Sequence, residues 1–268
     1  MQSDQVASRR SPRSFFSAAR GTGVGLLHVT FRNRLGALAS VIDLLTKNGV
    51  NILSGYHEVQ SEGEAGHWDS FVGLSSLQVP FQDIVESIRK LDSIIEVSAE
   101  PPSDLLMDAD HFPLVEHGER IIAFMANSFI DVEKTFIGMM GKGGETALYV
   151  GGRAAGKTTA SMLKTWGAVT KERVLEAICK FSLSHGLADA KIQEFDETSG
   201  SVKVILHDSV EACMYSVRQS APVCHFIRGM ISGVLEEMFG RKADAKETQC
   251  AATGAPYCII EAVLVARV

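Results

Sequence analysis

Between Val24 and Ala99 the apolar positions switch back and forth between a period of two and a period of roughly 3.6. Val24 to Phe31 alternate as a strand does. Leu35, Leu38, Ile42 and Leu45 then recur at helical spacing until Asn48-Gly49 stops the helix. Val50 to Val59 reads as extended, Ser61 to Gly66 as a polar turn, and Trp68 to Val79 as a further alternating run. Pro80 opens a short amphipathic helix whose buried stripe is Phe81, Ile84, Val85, Ile88 and Leu91, and Ile94 to Ala99 returns as a strand. The order βαββαβ predicts a ferredoxin-like, four-stranded antiparallel sheet with both helices on one face and the other face free for a partner.

Pro101-Pro102-Ser103 and the acidic stretch Asp104 to Asp110 break both periods, so residues 101–110 read as a linker and 111–268 as a second domain. Its first helix is expected over Glu119 to Met140, burying Ile122, Met125, Phe129, Val132 and Phe136, and is stopped by Gly141-Lys142-Gly143-Gly144. Helices over about Thr146–Thr165 and Lys171–His185 come next. The period then falls to two: Lys191–Asp196 and Val202–His207 flank Thr198-Ser199-Gly200 as a hairpin. A helix over Val223–Phe239 and two strands, Ala243–Ala252 and Tyr257–Val265, complete a mixed helical and antiparallel-sheet domain. The class is α+β.

A length of 268 residues suits two domains with independent cores. The formal charge of −6 argues against nucleic-acid binding, and no apolar run reaches the roughly 18 residues of a membrane helix. Residues 1–22, with Arg9, Arg10, Arg13 and Arg20, read as a flexible basic tail. Five cysteines, an odd number without an apolar leader, point to a reducing, cytoplasmic setting where thiols are free or hold metal.

Two motifs carry candidate chemistry. Gly151-Gly152-Arg153-Ala154-Ala155-Gly156-Lys157-Thr158 has the spacing of a phosphate-binding loop. Such a loop needs a parallel sheet and a second strand ending in a magnesium-binding aspartate, whereas the chain beyond the motif is short and antiparallel in pattern. The competing reading is one helix whose glycines let another helix approach. The second motif is Cys224 with Glu247-x2-Cys250-x7-Cys258: one hairpin presents three donors and a helix start presents the fourth, as a structural zinc site requires. Placement near a helix N-terminus favours a thiolate at Cys224. The alternative is that these cysteines are small buried hydrophobes, the reading given to Cys179 and Cys213. His225 is a fallback ligand.

On these residues the second domain resembles the 4-vinyl reductase domain family, whose phenol-sensing regulators bind zinc through a cysteine followed by a Glu-x2-Cys-x7-Cys run. The resemblance implies zinc on Cys224, Glu247, Cys250 and Cys258, a TRAPP-like fold, a homodimer and an apolar pocket for a small hydrophobic molecule. The same resemblance reads Tyr149 to Gly156 as helix. Phenol-responsive members carry a tryptophan shortly before the zinc cysteine, and this chain has none after Trp166, so a phenol ligand does not carry over. The first domain, over 23–100, resembles the ACT domain in element order and in the loop Arg32-Asn33-Arg34-Leu35-Gly36-Ala37-Leu38. That implies an amino acid or similar effector at Asn33, Gly36 and Asn51, although Asn33 and Leu35 replace the family's acidic residue and proline. A loop that only packs a dimer is the alternative.

Together these readings describe a non-enzymatic, ligand-sensing regulatory protein with structural zinc and no catalytic residue, acting through a protein output partner. The alternatives are a protein associated with tetrapyrrole vinyl reduction and a scaffold subunit that holds a lipid. No dinucleotide fingerprint supports the former, because Gly21-Thr22-Gly23-Val24-Gly25 precedes its strand and lacks the third glycine.

Overall fold

The structure is a computed structural model that describes residues 18–19, 23–59, 65–103, 105–108 and 114–266. Most of the basic tail and of the turn at 61–66 lies outside these residues. The chain divides into two compact units, 1–121 and 122–268.

The first unit contains β1 (Val24–Arg32), α1 (Ala37–Lys47), β2 (Asn51–Val59), β3 (Ala65–Gly73), α2 (Phe81–Arg89) and β4 (Ile94–Glu100). The sheet order is β2-β3-β1-β4, antiparallel throughout, as βαββαβ predicts. Alternation along β1 decides the layers. Leu27, Val29 and Phe31 point to one face and form a core with Val41 and Leu45 of α1 and Ile84, Val85 and Ile88 of α2. Both helices therefore cover that face. Leu26 and Phe71 point to the other face, where Leu106 packs on them, and Leu106–Met107 pairs with Ala18–Ala19. The face expected to be free is thus partly covered by residues from the segment expected as linker.

Three local expectations change. Leu35 is fully exposed, because α1 starts only after Gly36, whose φ of 82° caps it; the buried stripe is Ala37, Val41 and Leu45. The strand expected over Trp68–Val79 ends at Gly73. The helix expected from Glu119 starts at Ala126. Before it, Val115–Glu116 and Glu119–Arg120 form a tight hairpin, turned by positive φ at His117 and Gly118.

The second unit holds α3 (Ala126–Met140), α4 (Lys142–Thr165), α5 (Lys171–Ser184), β5 (Asp189–Asp196), β6 (Ser201–His207), α6 (Val210–Cys213), α7 (His225–Phe239), β7 (Ala243–Gln249) and β8 (Cys258–Leu264). The sheet order is β7-β8-β6-β5, again antiparallel. Only Gly141 separates α3 from α4; Lys142, Gly143 and Gly144, expected as part of the stop, are already helical. On α3, Ile130 is buried while Ile122 and Met125 before it, and Val132 and Phe136 within it, are exposed. The stripe expected there is mostly not core. The short α6 has no counterpart in the sequence pattern.

α4 and α7 form the tightest helix contact in the second unit, and glycines on both sides make it. A Cβ on Gly152 would lie 2.0 Å from the Phe226 carbonyl oxygen, and one on Gly156 would lie 2.1 Å from that of Met230. Reciprocally, a Cβ on Gly229 would meet the Tyr149 oxygen at 2.1 Å, and one on Gly233 the Arg153 oxygen at 2.0 Å. No side chain fits between the backbones. Lys157 and Arg153 reach across to the buried carboxylate of Glu236 on α7, Arg153 at 3.8 Å. The glycines and lysine of the phosphate-loop spacing are thus spent on helix packing, inside a continuous α-helix.

Candidate metal centre

Cys224 sits at the N-cap of α7, one residue before the helix rather than in its first turn. Glu247 lies near the end of β7, where the register against β8 shifts between Glu247 and Gln249. In a regular strand Glu247 and Cys250, three residues apart, would face opposite sides. The irregularity re-aims the chain so that both are buried on the same side. Cys258 opens β8 opposite Leu206 of β6. A single 3₁₀ turn, Ala251–Thr253, closed by Gly254 with φ 98°, brings the chain back between them.

The three thiol sulfurs and a Glu247 carboxylate oxygen all lie within 4.8 Å of one another, and all four residues are buried. Cys224 Sγ and Cys258 Sγ are 3.7 Å apart. That is far beyond the S–S bond of about 2.05 Å. It matches the edge of about 3.8 Å that a tetrahedron with metal–sulfur bonds near 2.3 Å requires. The backbone N–H of Cys224 donates to Glu247 Oε2 at 2.9 Å, while Glu247 Oε1 is buried with no hydrogen-bond partner. The Ala251 N–H donates to Cys258 Sγ at 3.2 Å, and Ser209 Oγ lies 3.3 Å from Cys224 Sγ.

The protonation pattern is that of a cation site. Hydrogen bonds from Cys224 and Cys258 hold the Cys250 thiol far below its ordinary range, and the same contacts push Cys224 up. Burial, with Cys250 beside it, pushes Glu247 up to about 7. Four donors compete for protons in a dry space, and a buried oxygen lacks a partner. This Cys3Glu group could hold a metal ion.

The remaining cysteines and His225 stay outside this group. Cys213, expected in the core, is exposed and donates to Asp208 Oδ1 at 3.2 Å. His225 is buried, but its backbone N–H donates to the Val223 carbonyl and its ring is not among the convergent donors. Cys179 is half-buried in the wall of an apolar cavity between α5, α7 and the sheet. That cavity encloses about 580 Å³ of empty space, its mouth included.

Sequence reasoning missed Glu211. Its carboxylate is completely buried and accepts from the backbone N–H groups of Phe226 at 2.8 Å and Ile227 at 2.7 Å, satisfying the first turn of α7. Burial, and then the nearby Glu133, raise it well above the ordinary carboxylate range. No spacing signal marks this residue, because it caps a helix more than ten residues downstream.

In the first unit, Asn33, Gly36 and Asn51 are all exposed. Gly36 caps α1 with open space around it, and Asn51 starts β2 opposite Gly73. Asn33 and Asn51 make no side-chain hydrogen bond among the described residues.

Residues 205–264 match the model of the 4-vinyl reductase domain. This segment runs from β6 to the end of β8 and contains all four convergent donors. An uncharacterized protein of Methanocaldococcus jannaschii is 27% identical over 118 residues, which are 44% of this chain and 64% of that protein; the chain thus spans less than two thirds of its relative. Among solved structures, the phenol-responsive sensory domain of the transcription activator PoxR, with phenol, is 21% identical, covers 55% of this chain and 78% of that one, and gives a TM-score of 0.49. A vinyl-4-reductase family protein of Methanocaldococcus jannaschii is 22% identical over 54% of this chain and 85% of its own, with a TM-score of 0.38. Over the first unit, the ACT domain of a GTP pyrophosphokinase from Chlorobium tepidum is 10% identical over 29% of this chain and 96% of its own, at a TM-score of 0.25. Among the described residues, no helix is long and apolar enough to cross a membrane.

Proposed function

We propose that this protein is a ligand-sensing regulator in which Cys224, Glu247, Cys250 and Cys258 hold a structural zinc ion and the neighbouring apolar cavity takes a small hydrophobic molecule. The observation that carries the reading is a shared element. Cys224 caps α7, and Ile227, Met230 and Val234 of the same helix wall the cavity. Zinc on the four donors would pin β7 and β8 to the start of α7, and a ligand in the cavity would press on its next turns. Three thiolates and a carboxylate suit zinc, and four protein ligands leave no open position for hydrolytic chemistry. The reading is therefore non-enzymatic.

The zinc supplies rigidity, and the chain's own residues do the rest. The N–H of Cys224 orients Glu247, the N–H of Ala251 stabilises the Cys258 sulfur, and Glu211 accepts from the first N–H groups of α7. A ligand regulates only by favouring one of two arrangements, so output requires a second state of α7 or its neighbours. We place that output in a protein partner of a cytoplasmic homodimer. An amino acid or similar effector at Asn33, Gly36 and Asn51 of an ACT-type first domain would be a second input.

Elemental analysis of protein purified without chelator tests the core of this reading. One zinc per chain, lost in Cys250→Ser, is expected. Absence of metal, together with unchanged stability of the Cys250→Ser variant, would overturn it.

A further inference from the structure

The cavity beside α7 also constrains what it can hold. Its lining is aliphatic apart from Phe181, and only Cys179 and Ser182 among the lining side chains are polar. Ser182 Oγ already donates to the Ala188 carbonyl at 3.0 Å. Burial pushes the Cys179 thiol up to about 11, so it remains neutral. A hydroxyl or charge brought inside would lose its water without gaining a partner, at a cost of roughly 2–7 kcal/mol. The enclosed part of any ligand is therefore hydrocarbon.

Leu175, Cys179 and Ile192 line both this cavity and an outer cleft between α5 and the edge strand β5, so the two are continuous. The cleft is where polarity begins: Glu172, Glu176, Lys180 and Lys191 line it. Three of these are already satisfied. Glu176 is bridged by Arg173 at 2.9 Å and Lys180 at 2.7 Å. Glu172 sits in the first turn of α5, where backbone N–H groups and the Thr170 hydroxyl hold it below the usual carboxylate range. Lys191 is the cation of the cleft with no carboxylate partner among the described residues.

We propose that the cavity and cleft together bind a linear aliphatic carboxylic acid, its chain inside between α5, α7 and the sheet and its carboxylate at Lys191. This assignment rests on the cavity being the ligand site and names the class of ligand it takes. A phenol fits less well, because the interior offers its hydroxyl no free partner.

The test uses the full chain, stripped of lipid on a hydrophobic resin and titrated calorimetrically with dodecanoate, dodecan-1-ol and phenol. Dodecanoate is expected to bind, and Lys191→Glu, a surface change, to weaken it about 5- to 10-fold while leaving dodecan-1-ol unchanged. Ala190→Phe, which fills the cavity from β5, is expected to abolish binding of both; Ile231→Trp does the same from α7 should the first variant fail to fold. Dodecanoate binding unmoved by Lys191→Glu, or phenol binding in preference to dodecanoate, overturns the assignment of the ligand while leaving the cavity as the site. Failure of all three compounds to bind overturns the cavity reading itself.

Discussion

Two helix starts in this protein carry residues that a sequence motif marks as ligand-binding, and they differ in every physical respect. At α1, Gly36 caps the helix in open space, with Asn33 and Asn51 exposed and unbonded. At α7, Cys224 caps the helix inside the core, facing Cys250, Cys258 and Glu247, while Glu211 takes the first backbone N–H groups. Burial is what separates them. A solvated loop needs nothing further, whereas four buried donors with an unpartnered oxygen are costly unless a cation joins them.

The largest effect that would sharpen the contrast is loss of the cation. Chelation or Cys250→Ser should lower unfolding stability by about 4 kcal/mol or more, read by denaturant titration with and without added zinc. A smaller loss than that of a typical core substitution would place the two helix starts on the same footing. Next comes the α4 seam that holds α7 from behind. Gly156→Ala drives a Cβ into the Met230 carbonyl and should cost about 3 kcal/mol, with metal content retained. Glu211→Ala strands the N–H groups of Phe226 and Ile227 and should cost about 2 kcal/mol.

Glu133 of α3 supplies a pH-dependent test. Burial raises it from 4.5 to about 7, so the folded protein keeps its proton where the unfolded chain has lost it. Its contribution to stability is therefore complete below about pH 4.5 and is lost as pH rises towards 7. Glu133→Gln should gain on wild type across that window, by on the order of 1–2 kcal/mol, as seen in melting temperatures measured from pH 5 to about pH 8. The smallest effect belongs to α1. Asn33→Ala and Asn51→Ala should each change stability by less than about 0.5 kcal/mol, and thermal shift with a panel of amino acids should separate an effector site from a plain loop.

Legibility in the sequence divides along the same line. The βαββαβ order was readable because each element of the first unit buries one face and solvates the other, so the periodicity reports the layers directly. The four convergent donors were readable because their spacing fits one hairpin plus one helix start. Leu35 and the run from Ile121 to Met125 misled for the opposite reason: they are apolar yet exposed, and hydropathy alone cannot tell a core stripe from an apolar surface. The phosphate-loop spacing is a coincidence of composition, since a helix that must touch another helix through glycines also tends to carry a lysine for the acid opposite. Glu211 stayed hidden because a buried carboxylate is explained only by the N–H groups it meets in three dimensions.

The seam of Gly152, Gly156, Gly229 and Gly233 bears on how a signal could leave the ligand cavity. Main chain lies against main chain there, so no rotamer can turn to absorb a small movement of α7, and α4 must travel with it as a coupled lever. Amide exchange rates along the two helices should then rise and fall together when the cavity is filled or the metal is withdrawn.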